Sequence, residues 1–156
     1  GVTGHDIGDV VEQLLKDNPR PILVIPPTKP NDAKGVVVAF DGSLQSSRAM
    51  QMFHLMGLRD DEAVHVLSID DDDEKAEILA ARGAAFFASH GADVTTHGLH
   101  SSGETAQVVL NTVESIKAGM LVMGAFGHHS LLHQLMVGSV TKQLIRACPV
   151  PVFVHH

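Results

Sequence analysis

A chain of 156 residues, 44% hydrophobic but with no Trp, no Tyr and only six Phe, fits one ordinary domain built around an aliphatic core. Its formal charge of −7 argues against a nucleic-acid backbone or an anionic membrane surface as partner, although eleven histidines would offset part of that charge below roughly pH 6.5. The single Cys148 excludes an internal disulfide and suits a reducing, cytoplasmic setting, and no apolar stretch approaches the ~20 residues of a membrane span. The sequence opens at Gly1 without Met and without a signal peptide in view, which points to a missing native N-terminus.

The first readable unit is a helix followed by a Pro-containing turn and a short β-branched strand, residues 8–24. It repeats at residues 138–154 with no gap, and seven of the seventeen aligned positions are identical, among them Gly8/Gly138, Gln13/Gln143, Leu14/Leu144, Pro19/Pro149 and Pro21/Pro151. The repeat reads residues 1–26 as the C-terminal helix and strand of a truncated first domain. Residues 27–34, continuing from Pro26 with Pro27 and Pro30, read as a stiff linker, and residues 35–156 as the second domain.

Within that domain strands and helices alternate. Gly35–Phe40 is a continuous apolar run and reads as a buried strand, closed by Asp41-Gly42-Ser43, where Ser43 is a helix N-cap. Ala49, Phe53 and Met56 mark a helix to about Gly57, Ala63–Ile69 a second strand, and the segment from the acidic run to about His90 a second helix. Ala92–Thr96 reads as a weak third strand. Ser101 to Glu104 has capping-box spacing, and Ala106, Val109, Leu110, Val113 and Ile116 form the cleanest helical stripe. Ala118–Met123 is a fourth buried strand, the segment after Gly138-Ser139 a helix, and Val150–Val154 a last strand. This alternation means a doubly wound parallel sheet with helices on both faces, which binds ligands beyond the carboxyl ends of its strands. Asp41, Ile69 and Gly124 lie at such ends.

The glycines of the last quarter carry the chemistry. Gly124 and Gly127 follow an apolar strand, where small residues let backbone approach a ligand, and Gly138-Ser139 are placed at the expected start of the next helix. The unpaired amides and partial positive charge of a helix start suit phosphate, so nucleotide binding leads. Other clusters carry less. Asp70 to Glu74 could hold Mg²⁺, but reads more simply as a solvated loop supporting the next helix start. His97 and His100, or His128, His129 and His133, could hold zinc, yet no Cys partner or HExxH spacing accompanies them, and no metal site is expected. A G-x-S-x-G elbow around Ser43 and a P-loop are both absent, so a serine hydrolase or a standard NTPase is not supported.

Val36–Ser43, Met123–Gly127, Gly138–Thr141 and the closing Cys148–Val154 together resemble the universal stress protein family over about residues 35–155. The resemblance implies a five-stranded parallel sheet in the order 3-2-1-4-5, with the N-terminal helix–strand remnant pairing at its edge, as in tandem members. It implies ATP, with or without Mg²⁺, as the ligand. Asp41 would then face the adenosine end, Ala39, Phe40 and Ile69 would wall the base, and Met123, Gly124 and Gly127 would run close to the phosphates. Gly138, Ser139 and Val140 would donate from the helix start. Ten residues, 128–137, separate Gly127 from Gly138, one more than in the family pattern, and Phe126, His128 and His129 stand beside the phosphate positions.

Three functions remain in play: a non-enzymatic ATP-binding stress regulator acting through dimerisation or partner choice, a ligand-free interaction module of the same fold, and a weak ATP hydrolase or phosphotransfer enzyme. No positioned general base stands out, which ranks the enzyme last. A homodimer is expected through the edge strands Val150–Val154 and Ile22–Ile25, which should pair with each other within one chain or between two.

Overall fold

The computed structural model describes residues 6–28, 30, 32–59, 62–125 and 134–156, the side chains of 134–137 excepted. The chain runs α1 (Ile7–Asp17), β1 (Ile22–Val24), β2 (Val36–Ala39), α2 (Leu44–Leu55), β3 (Val64–Asp70), α3 (Asp73–Ser89), β4 (Val94–His100), α4 (Thr105–Ser115), β5 (Met120–Gly124), α5 (Gln134–Ala147) and β6 (Val152–His155). The six strands form one sheet in the order β1-β6-β5-β2-β3-β4. Counted from β2, this is the expected 3-2-1-4-5 order with the N-terminal strand added beside the last. All neighbours are parallel except β1 and β6, which run antiparallel with Ile22 opposite Val154 and Val24 opposite Val152.

Strand periodicity divides the core in two. Val36, Val38, Phe40, Val64, Val66, Val122 and Phe153 face α2 and α3, where Phe53 meets Phe153 edge-on at 5.8 Å between ring centroids. Val37, Leu67, Leu121, Met123, Val152 and Val154 face the other layer, built by Leu15 of α1, Val109 and Val113 of α4, and Leu144 of α5. Strands buried on both faces explain the uninterrupted apolar runs of β2 and β5.

Four boundaries differ from the sequence reading. β4 begins and ends later than Ala92–Thr96, pairing with β3 over seven residues from Val94 to His100. As an edge strand with one side wet, it carries Thr and His where a central strand carries Val, so the apolar signal fades. α4 opens at Thr105, not at Ser101; the Ser101 hydroxyl does accept from the Glu104 amide at 3.1 Å, but Glu104 makes no reciprocal cap. The last strand starts at Val152 because Val150 lies in the turn before Pro151, whose carbonyl accepts from the Leu121 amide at 2.9 Å. α5 starts at Gln134, upstream of Gly138. The helix-start amides, those with no carbonyl one turn earlier, therefore belong to residues 134–137, and Gly138, Ser139 and Val140 sit one turn inside.

The expected pairing of Ile22–Ile25 with the last strand occurs within one chain, over Ile22–Val24, with Ile25 beyond the strand. The helices above it pair acid to base. Arg146 bonds Asp6, which also caps α1 by accepting from the Gly8 amide at 3.1 Å. Lys142 Nζ lies 2.7 Å from both Asp9 and Glu12. Glu12 and Lys142 are equivalent positions of the repeat, so two related helices meet with opposite charge. The Arg146 guanidinium holds the Asp6 carboxyl below its ordinary 3.8, and Lys142, then Lys16, hold Glu12 below 4.5. Carboxylates with depressed values stabilise the fold above the ordinary carboxyl range, and that contribution is lost as pH falls through the depressed values. The urea midpoint is therefore expected to fall on acidification below about pH 4.5, and the combined Asp6→Asn and Glu12→Gln variant to flatten that slope. An unchanged slope would assign the acid sensitivity elsewhere.

Candidate functional site

The site is built where β2 and β5 end side by side. The chain leaves β2 into α2 on one face of the sheet and leaves β5 toward α5 on the other, so the strand order reverses direction here, the position at which doubly wound sheets form a crevice beyond the carboxyl ends.

From β2, Ala39 is half-buried on the α4–α5 side, between Leu67 of β3 and Met123 of β5. Phe40 alternates to the opposite side. Its ring is buried among the α2–α3 core, against Gly83, and its carbonyl accepts from the buried Ser68 hydroxyl at 2.6 Å. Phe40 therefore fills the core and does not wall the crevice beside Ala39 and Ile69, as the resemblance implied. Asp41 is exposed at the strand end, and its Oδ1 accepts from the Ser43 amide at 2.9 Å. Gly42 makes the turn at φ 78°, a left-handed conformation that glycine adopts without strain. Ser43 then caps α2 by accepting from the Ser46 amide at 3.1 Å, while the Ser46 and Ser47 hydroxyls both donate to the Ser43 carbonyl at 3.0 Å. This net of serines fixes where Asp41 stands; of it, only Ser43 was singled out in the sequence, by its place after the strand.

From β3, Ile69 is half-buried on the same side as Ala39, and Asp70 ends the strand with Lys75 at 2.8 Å. The Lys75 ammonium holds the Asp70 carboxyl below its ordinary value. Asp72 caps α3 by accepting from the Lys75 amide at 3.1 Å, and Asp73 and Glu74 fill its first turn. The acidic run is thus engaged in starting a helix. Among the described residues no group of three or more His, Cys, Asp or Glu is placed to hold a metal.

From β5, Met123 is buried and Gly124 half-buried. A Cβ on Gly124 would stand 2.5 Å from the Gln45 carbonyl carbon and 2.8 Å from Ser46 Cα, and closer still to the Ser46 nitrogen. The close approach that this glycine permits is thus to the first turn of α2, not to a ligand. Gly127, Phe126 and the histidines 128, 129 and 133 lie outside the described residues. On α5, Gly138 is half-buried with open space where a Cβ would be, Ser139 is exposed, and Val140 packs against the core. The structure thus brings Ala39, Asp41, Ile69 and Gly124 to one end of the sheet. Two grooves lie away from this end of the sheet, one between Val24–Pro27 and Cys148 and one between Ala33 and Val113.

The parallel sheet with helices on both faces and a reversal of strand order between β2 and β5 defines a doubly wound α/β domain. Residues 33–156 match the family model described as "Universal stress protein family", and the chain belongs to that family. It is 27% identical over 149 residues to the Synechocystis protein named Universal stress protein Slr1230, covering 96% of this chain and 51% of that one. Its fold matches a universal stress protein from Archaeoglobus fulgidus with a TM-score of 0.69 and 26% identity, covering 94% of this chain and 53% of the other. The chain thus spans about half the length of both relatives. A universal stress protein solved in complex with cAMP shares the fold at a TM-score of 0.63 and 20% identity, over 80% of this chain and 97% of the other. Among the described residues no helix is long and apolar enough to cross a membrane.

Proposed function

We propose that the chain is a non-enzymatic, nucleotide-binding stress regulator whose ligand is of the ATP type and whose occupancy biases dimerisation or partner choice. The observation that carries the reading is Asp41, exposed at the end of β2 beside the crevice where strand order reverses. A carboxylate held there accepts hydrogen bonds from ribose hydroxyls, while Ala39 and Ile69 offer a half-buried apolar wall to a base. Relatives of the same fold are solved with cAMP and with dAMP, which supports a nucleotide as the ligand class. Met123 and Gly127 would border the phosphates, with Gly138 and Ser139, one turn inside α5, facing them.

Calorimetry with ATP and Mg²⁺ is expected to show saturable binding. Asp41→Ala is expected to weaken it by about 10- to 100-fold, the value of one or two hydrogen bonds to a charged acceptor. Absence of heat and of any thermal shift at roughly millimolar ATP, an affinity of only ~4 kcal/mol, would leave the second reading, an interaction module of the same fold without ligand. That reading draws on Gly124, whose open side is filled by α2 backbone.

We also read residues 1–26 as the end of a preceding, related domain. Leu14 is 45% exposed where its repeat equivalent Leu144 is 1%, and Leu23 is 42% exposed where Phe153 is 1%. In the second unit β5 and its helices provide that cover; in the first the equivalent strand would lie along the open edge of β1. Because β1 pairs with β6 within the chain, the edge of Val152–His155 is not left open to a second copy.

A further inference from the structure

His97 and His100 stand three apart in the sequence, a spacing that on a strand sends them to opposite faces. His100 Nδ1 lies 2.9 Å from Asp73 on the α3 side. His97 turns to the other side and meets His65 of β3, with 3.0 Å between His65 Nδ1 and His97 Nε2. The β3–β4 ladder sets Leu67 opposite His97 and Thr95 opposite His65, so the two imidazoles are diagonal neighbours on one face, inside a run of seven paired residues. Both are half-buried, which leaves one side open to solvent.

Two ring nitrogens at this distance share a single proton: one donates and the other offers its lone pair. A cation that accepts both lone pairs can take that proton's place. Metal–imidazole bonds of about 2.0–2.1 Å put two adjacent ligand nitrogens roughly 2.9 Å apart at a right angle and roughly 3.3 Å apart at the tetrahedral angle. The observed separation falls between those values. Imidazole nitrogens without a carboxylate select borderline ions such as Zn²⁺, Cu²⁺ or Ni²⁺ over Mg²⁺ or Ca²⁺.

We infer that His65 and His97 form a two-imidazole site for a borderline transition cation, with the remaining positions open to water or to an outside ligand. The cation would tie the edge strand β4 to β3 on the face away from α3, apart from the nucleotide crevice at the strand ends.

The test is titration of the full chain with ZnCl₂ alone, followed by calorimetry, for the native protein and for His65→Gln and His97→Gln. Each substitution is expected to weaken the same one-equivalent site by at least about tenfold, as loss of one of two ligands requires. Affinity and stoichiometry unchanged in both variants would overturn the assignment. Eleven histidines are present in the chain, so a second measurement on the native protein locates the ion directly. Substoichiometric Cu²⁺ should broaden the imidazole proton resonances of His65 and His97 first. Broadening that begins at other histidines and spares these two would sink the site even if a variant failed to fold.

Discussion

Replacing Phe53 with alanine is expected to lower stability by about 3–5 kcal/mol, the usual cost of emptying a fully buried aromatic site. Phe53 is completely buried, and its ring meets Phe153 edge-on, so the substitution removes contact area and an aromatic pair together. The pair clamps α2 onto β6 on the side of the sheet away from α4. Since α2 begins immediately after Asp41, a cavity beneath its middle should also loosen the turn that presents the carboxylate. Guanidinium unfolding followed by circular dichroism reads the loss. A shift under ~1 kcal/mol would show that α2 does not rest on this contact.

Gly124→Ala should cost about 3 kcal/mol, the upper end of the range for overpacking. The methyl group would press on the Gln45 carbonyl carbon and on the nitrogen and Cα of Ser46, all of them backbone, so no side-chain rotation relieves the clash. The first turn of α2 must move, and with it the Ser43 cap and Asp41. If Gly124 served only to admit a ligand, the variant would retain full stability and lose nucleotide alone. Measuring the denaturation midpoint without nucleotide separates the two roles: an unchanged midpoint would reject the packing role.

Much of the fold is legible in the chain because its signals are local. The runs Val36–Ala39 and Met120–Met123 are apolar without a break, which only strands covered on both faces require. Ser43 stands where a helix cap belongs and does cap α2. The unpaired last strand anticipated a mate in Ile22–Ile25, because an open edge invites another strand; that the pair runs antiparallel and lies within one chain is set by the fold. The edge strand β4 was less legible: its wet face takes Thr95 and His97, which weaken the alternation that would mark its length.

The site was only partly legible for a different reason. Asp41 could be placed at a strand end from the residues before it. Phe40, next to it, follows strand alternation to the opposite face, where it fills the core against Gly83, so the family resemblance misplaces it beside the ligand. Gly138-Ser139 resembles a helix start in sequence, whereas α5 begins at Gln134.

From its residues alone, this protein is determined to be a doubly wound domain with an added helix–strand unit at its edge and a carboxylate at the end of its first central strand. Periodicity, capping and the repeat are written within a few residues of where they act. Only the tertiary structure decided that Gly124 makes room for α2, that His97 pairs with His65 and not with His100, and that Lys142 and Arg146 meet the acids of α1. Each of these is a contact between segments far apart in the chain, set by sheet register and helix docking, and neither the spacing nor the type of the residues involved encodes it.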